Sequence, residues 1–90
     1  MDNKDMSAEK TVCHELKTWC EYFEEVFMGR KTFELRKDDR GFEVGHFLIL
    51  KEWDHVKGEY TGRSLARRIR YVLKGGQFGL QEGFVIMSIA

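Results

Sequence analysis

The sequence predicts a small α+β domain, rich in strands and carrying one amphipathic helix, and three observations lead there. Apolar residues alternate with polar ones, or run together, over several stretches of five to eight residues, the length and pattern of strands. Helical spacing occurs in one early segment. Glycine-containing polar segments separate the stretches, and no proline occurs anywhere. Ninety residues make one domain, and a chain of this size buries only about 60% of its unfolded surface, so its core must be compact and aromatic-rich.

Residues 1–11 are nearly all polar and lack periodicity, which predicts a flexible tail ahead of a domain at residues 12–90. Val12 to Lys17 alternates loosely and fits a first strand. Thr18 followed three residues later by Glu21 has the form of a capping box, and Trp19, Tyr22, Phe23, Val26 and Phe27 follow at helical spacing. Gly29 suits the left-handed residue that ends a helix, so the helix is expected over Trp19 to Met28 with Trp19, Phe23 and Phe27 inward. From Lys31 to Lys37 the period changes to two. Phe33 and Leu35 are expected to face the core, and Thr32, Glu34 and Arg36 the solvent.

Asp38-Asp39-Arg40-Gly41 forms a turn cluster, and His46 to Trp53 an almost continuous apolar strand expected to be buried on both faces, with Leu48 and Leu50 in the core. Asp54 to Gly62 reads as a hairpin connection. Arg63 to Lys74 admits a strand with Leu65, Ile69, Tyr71 and Leu73 inward, or a helix; the strand is preferred because it completes the hairpin. Gly75, Gly76, Gly79 and Gly83 surround Phe78, a candidate buried anchor of a loop, and Phe84 to Ile89 closes the chain as a core strand with Val85 and Met87 inward. Strand, helix and four further strands are expected to curl into a small barrel.

Acidic and basic residues balance at 15 each, so net charge does not call for nucleic acid or membrane. The charges are unevenly placed. Glu15, Glu21, Glu24 and Glu25 crowd one stretch, whereas Arg63, Arg67, Arg68, Arg70 and Lys74 form a run that suits either a phosphate backbone or a solvated strand edge. Cys13 and Cys20 do not form a disulfide framework, and no apolar leader precedes them, which points to a reducing cytoplasmic setting. Cys13, His14 and Cys20 match no compact zinc spacing, so neither metal nor cofactor is expected. No apolar run approaches membrane-spanning length.

The segment Gly29-Arg30-Lys31-Thr32-Phe33-Glu34-Leu35-Arg36, with a helix before it, resembles the motif of the ASCH domain, a member of the PUA-like superfamily. Leu16-Lys17-Thr18-Trp19, Phe42-Glu43-Val44-Gly45, Leu48 to Trp53, Tyr60-Thr61-Gly62-Arg63 and Gly75 to Leu80 are similar to an uncharacterised bacterial and phage branch of that family. The resemblance implies a PUA-like β-barrel with the helix packed across one opening, a cleft lined by Lys31 to Arg36, and RNA or a nucleotide as ligand. A fold hosts many functions, so the ligand has to be argued from the site.

Glu34 and Arg36 lie two apart on one strand face, close enough to orient one another, and Arg36 presents a planar fork suited to phosphate or a base edge. A solvated surface ion pair is the commoner meaning of such a pattern. Tyr22, Phe42, Trp53 and Phe78 sit near element ends, where a ring can stack on a base, although packing is the more frequent role. Some compact ASCH proteins resemble amidohydrolases of acetylated cytidine, with a lysine where Lys31 stands and a threonine nucleophile three residues later. Here that residue is Glu34, so hydrolysis would need Lys31 to stabilise charge and Glu34 or Glu82 to activate water. A protein partner is the third reading, and oligomeric state is not encoded legibly.

Overall fold

The computed structural model describes residues 11–90; the expected tail lies almost wholly outside the described residues. Its elements are β1 (Cys13–Trp19), α1 (Cys20–Phe27), β2 (Phe33–Lys37), β3 (Phe47–Asp54), β4 (Glu59–Lys74) and β5 (Phe84–Ile89). They build one five-stranded sheet in the order β1-β3-β4-β5-β2, with β1 and β3 parallel and every other neighbour antiparallel. No helix among the described residues is long and apolar enough to cross a membrane.

β4 bends the sheet. Its first part pairs with β3 (Phe47↔Arg68, Leu50↔Leu65) and its last part with β5 (Tyr71↔Ser88, Lys74↔Val85), and the register shifts between Ile69 and Tyr71. Such a bulge increases local twist and changes which face a side chain takes. Ile69 is buried, whereas Tyr71, expected inward, is exposed, and Val72 turns partly inward beside the core. The curled sheet does not close into a barrel: among the described residues, β1 and β2 are its two free edges. Side chains from β2 and from the loop after it reach β1. Arg36 Nη2 donates to Thr18 Oγ1 at 3.1 Å, and Arg40 Nη1 to the Glu15 carbonyl at 2.9 Å.

Leu16, Leu48, Leu50, Ile69, Val85, Met87 and Ile89 form the inner face of the sheet, and Phe23 and Val26 of α1 pack into the same core with Phe42. The helix is one residue shorter at each end than its periodicity predicts. Its capping box does not form: Trp19 is the N-cap, no side chain caps it, and Thr18 belongs to β1. Thr18 is instead buried, donating its hydroxyl to the Leu16 carbonyl at 3.3 Å. Pairing of β1 with β3 through Thr18↔Glu52 and Trp19↔Trp53 holds the chain extended for one residue too long for Thr18 to reach the helix amides. Trp19 and Phe27 are half exposed; Phe23 alone of the three points inward as expected.

The largest correction concerns β2. Phe33 and Leu35 are 47% and 51% exposed, while Glu34 is 2% exposed. The cause is register. Glu34 lies opposite Met87 and Arg36 opposite Val85, and directly opposed residues share a sheet face. β5 must bury Val85, Met87 and Ile89, so the residues of β2 that face them turn inward whatever their polarity. The loop between β4 and β5 departs from expectation too: Phe78 is 91% exposed at the tip of a tight turn, where Phe78 (φ 52°) and Gly79 (φ 81°) are flanked by the Leu80 N–H to Gln77 carbonyl bond. Gly75 anchors that loop, since a Cβ there would lie 2.0 Å from the Gln81 carbonyl oxygen.

Candidate functional site

A cavity of about 600 Å³ opens between the two free edges, lined by Lys17, Thr18 and Trp19 of β1, Tyr22 of α1, Lys31, and Phe33, Glu34, Leu35 and Arg36 of β2. Its position follows from the local chain path. Met28 ends the helix, Gly29 takes φ 79°, and the Arg30 and Lys31 amides both return to the Glu25 carbonyl at 2.9 and 3.0 Å. This tight reversal delivers Lys31 to the start of β2, level with the end of β1.

Glu34 is the centre of the site. Lys31 Nζ donates to its Oε2 at 2.6 Å and Arg36 Nε to its Oε1 at 2.9 Å. Lys31 also donates to the Phe33 carbonyl at 2.9 Å, and Arg36 reaches Thr18. A carboxylate taken from water needs such partners, because an unpaired buried charge is far too costly. The pairing is asymmetric in exposure: the Glu34 side chain is 3% exposed, and those of Lys31 and Arg36 are 19% and 25%. The carboxylate is almost wholly covered, and its two cations line the cavity beside it. Two cations against one carboxylate leave a local charge of +1 toward any ligand. Lys17 directs its ammonium elsewhere, 3.9 Å over the Trp53 ring.

The remaining walls are aromatic and aliphatic. Trp19, Tyr22, Phe33 and Leu35 are all partly exposed along the cavity. The Trp19 ring is backed on one side by His55, 3.9 Å between centroids and 13° from parallel, and the Tyr22 ring lies 6.4 Å away. Of the residues singled out from sequence, Lys31, Glu34, Arg36 and Tyr22 come together here. Phe42 does not: it is buried, with the His14 ring against it at 4.8 Å, and belongs to a smaller recess of about 150 Å³ on the far side of Arg36. Phe78 and Glu82 lie on the exposed β4–β5 loop, outside the cavity lining. Trp53 packs edge-on against Tyr60 at 4.9 Å, also outside it. Thr18, Trp19, Phe33 and Leu35 were missed. Thr18 and Trp19 carried helix-start spacing, and Phe33 and Leu35 carried core spacing, so no local signal marked them.

The arginine run does not form one face. Arg63 binds Glu52 through Nε (2.9 Å) and Nη2 (3.1 Å) and reaches Glu24 at 3.1 Å, with its guanidinium 4.9 Å from the Phe23 ring centroid. Arg67 reaches the Val26 carbonyl at the end of α1 at 3.3 Å, and Lys74 pairs with Asp38 at 2.8 Å. These contacts tie the helix and loops to the sheet. Hydrogen bonds from Arg63 hold the Glu52 carboxyl below its ordinary range, assisted by Thr61. Among the described residues no group of three or more His, Cys, Asp or Glu is placed to hold a metal; Cys13 and Cys20 are free thiols. His14 Nε2 and His46 Nδ1 are 2.9 Å apart, and burial, then the charge His46 would carry and that of Arg40, lowers the His14 pKa.

A family model described as "Domain of unknown function (DUF3850)" matches residues 13–89. The chain is also 48% identical over 56 residues to the "Uncharacterized 12.9 kDa protein in GpA 3'region" of Escherichia phage P2, across 62% of this chain and 50% of that protein. The matched part thus spans about half the length of that curated relative.

Proposed function

The chain belongs to the DUF3850 family, and from its cleft we propose that it is an RNA- or nucleotide-binding module of ASCH, PUA-like kind. The observation that carries this reading is the convergence of Lys31 and Arg36, oriented by a buried Glu34, on a cavity whose other walls include the exposed rings of Trp19, Tyr22 and Phe33. Cations held in fixed orientation suit a phosphate, and flat apolar walls suit a base. At about 600 Å³ the space is in the range that encloses a small ligand.

Hydrolysis of a modified nucleoside has weaker support. Glu34 has both oxygens engaged by cations, Glu82 is elsewhere, and the Thr18 hydroxyl is held between Arg36 and the Leu16 carbonyl. The test is titration with nucleoside 5′-monophosphates and short single-stranded RNAs at two salt concentrations. Saturable binding that weakens with salt is expected, because phosphate contacts release counterions. Replacing Arg36 by Ala should weaken it by about 1 to 3 kcal/mol. No saturable binding, or binding unchanged in Lys31→Ala and Arg36→Ala, overturns the reading. Release of acetate from an acetylated cytidine would put hydrolysis in its place.

A further inference from the structure

Both rims of the cavity are strand edges, and consecutive residues of each line it: Lys17 to Trp19 on β1 and Phe33 to Arg36 on β2. A cavity lined by consecutive strand residues abuts the strand's edge, where unpaired backbone groups lie, as well as its faces. The ladder decides which groups those are. Ile89 N–H donates to the Thr32 carbonyl at 3.0 Å and Asp38 N–H to the Gly83 carbonyl at 2.8 Å, and Glu34↔Met87 and Arg36↔Val85 are the pairs in between. In an antiparallel ladder hydrogen-bonded pairs alternate with pairs whose N–H and C=O point away. Thr32, Glu34, Arg36 and Asp38 therefore bond to β5, and Phe33, Leu35 and Lys37 turn their backbone to the free edge.

Two of those three are already engaged. The Phe33 carbonyl accepts from Lys31 Nζ at 2.9 Å, and the Lys37 carbonyl from the Asp39 N–H at 3.0 Å. Among the described residues, Leu35 has no partner for either its N–H or its C=O on this edge, and it lines the cavity. Groups left open to a cavity in this way are sites for a ligand's own donors and acceptors.

Resting on the nucleotide reading above, we propose that the Leu35 backbone N–H and C=O read the base. The base docks edge-on beside β2, with an acceptor bonded to the Leu35 N–H and a neighbouring donor to its C=O, while its phosphate meets Lys31 and Arg36. The ligand class is a nucleotide whose base edge carries an adjacent donor and acceptor. Glu34, the carboxylate lining the cavity, has both oxygens engaged by cations, so it does not supply the reading pair. An extended peptide adding to the edge is disfavoured by the same count, since strand addition uses a run of alternate residues and here Leu35 alone offers both groups.

The experiment uses a proline. Proline at an edge position whose N–H faces outward removes that donor and leaves the ladder intact. Leu35→Pro is compared with Leu35→Ala, which shortens the same side chain and keeps the N–H, and with Lys37→Pro, which deletes the next outward N–H outside this cavity; all three are checked for wild-type thermal unfolding. The probe is uridine or cytidine 5′-monophosphate, whichever the wild type binds more tightly. Leu35→Pro should bind it about tenfold more weakly than Leu35→Ala, the effect of one lost hydrogen bond, and Lys37→Pro as wild type does; equal affinity in Leu35→Pro and Leu35→Ala overturns the inference. Wild-type affinity in a folded Leu35→Pro overturns the inference and leaves the nucleotide reading standing. Where Leu35→Pro does not fold, the N3-methylated nucleotide decides on the wild-type protein: weakened binding supports the inference and equal binding overturns it. No nucleotide binding by the wild type overturns both readings, and capture of an unstructured peptide that Leu35→Pro abolishes would make the edge a strand-addition site.

Discussion

Glu34 and Glu52 are two buried glutamates on inward faces of the same sheet, each held through both oxygens, and their surroundings give them different work. Glu52 on β3 is bound by Arg63 and by the Thr61 hydroxyl at 2.6 Å, and the arginine is flanked by Phe23, Phe27 and Glu24 of α1. That cluster fastens the helix to the sheet. Glu34 on β2 is bound by Lys31 and Arg36, whose far sides border a cavity. The same chemistry is thus covered where an element packs over it and, on the function proposed above, open to a ligand where the sheet stays open.

The largest effect should come from breaking the closed cluster. Glu52→Ala leaves Arg63 without its main partner and should cost about 3 kcal/mol, the low end for breaking a buried pair because Arg63 remains half exposed. Urea unfolding measures it. Nucleotide affinity of the folded variant should not change, and a parallel loss of binding would erase the distinction between the two clusters.

Next comes the reverse substitution. Glu34→Gln should cost about 2 kcal/mol of stability, less than Glu52→Ala because Lys31 and Arg36 can turn to cavity water, and should also weaken nucleotide binding by disorienting both cations. If unfolding shifts while titration does not, Glu34 is structural as well.

Acid probes the closed cluster. The Glu52 carboxyl titrates below its ordinary 4.5 in the folded protein, so its stabilisation is complete above that value and is lost as pH falls through the depressed one. In Glu52→Gln the decline of melting temperature below about pH 4.5 should be shallower than in the wild type. His14 acts in a higher window. Its folded pKa lies below 6.5, so stability is full above 6.5 and falls as pH drops beneath it; His14→Gln should flatten that part of the curve.

The smallest effect tests a single hydroxyl. Thr18→Ala removes the acceptor for Arg36 and should cost about 1 kcal/mol, typical of one hydrogen bond. Capping would predict a similar number, so the discriminating measurement is the double variant with Arg36→Ala. Non-additive costs place Thr18 at the seam, and additive ones would return it to the helix.

Local pattern found every element but β4, because period, turn residues and Gly29 are written in neighbouring positions; residues 63–74 admitted a helix as well until hairpin pairing was weighed, and β4 begins at Glu59, inside the stretch read as a connection. Local pattern was enough, too, to place Leu48, Leu50, Ile69, Val85 and Met87 in the core and to single out Lys31, Glu34 and Arg36. What it misjudged were quantities set by distant partners. The faces of β2 were decided by register against β5, since burying Val85 and Met87 turns Glu34 inward and leaves Phe33 and Leu35 outside. Thr18 was claimed by pairing of β1 with β3 before it could cap the helix, and the bulge after Ile69 reversed Tyr71. The open seam itself is tertiary: whether two edge strands meet depends on the curl of the three strands between them, and the candidate site exists because they are joined by Arg36 and Thr18 side chains instead of a backbone ladder.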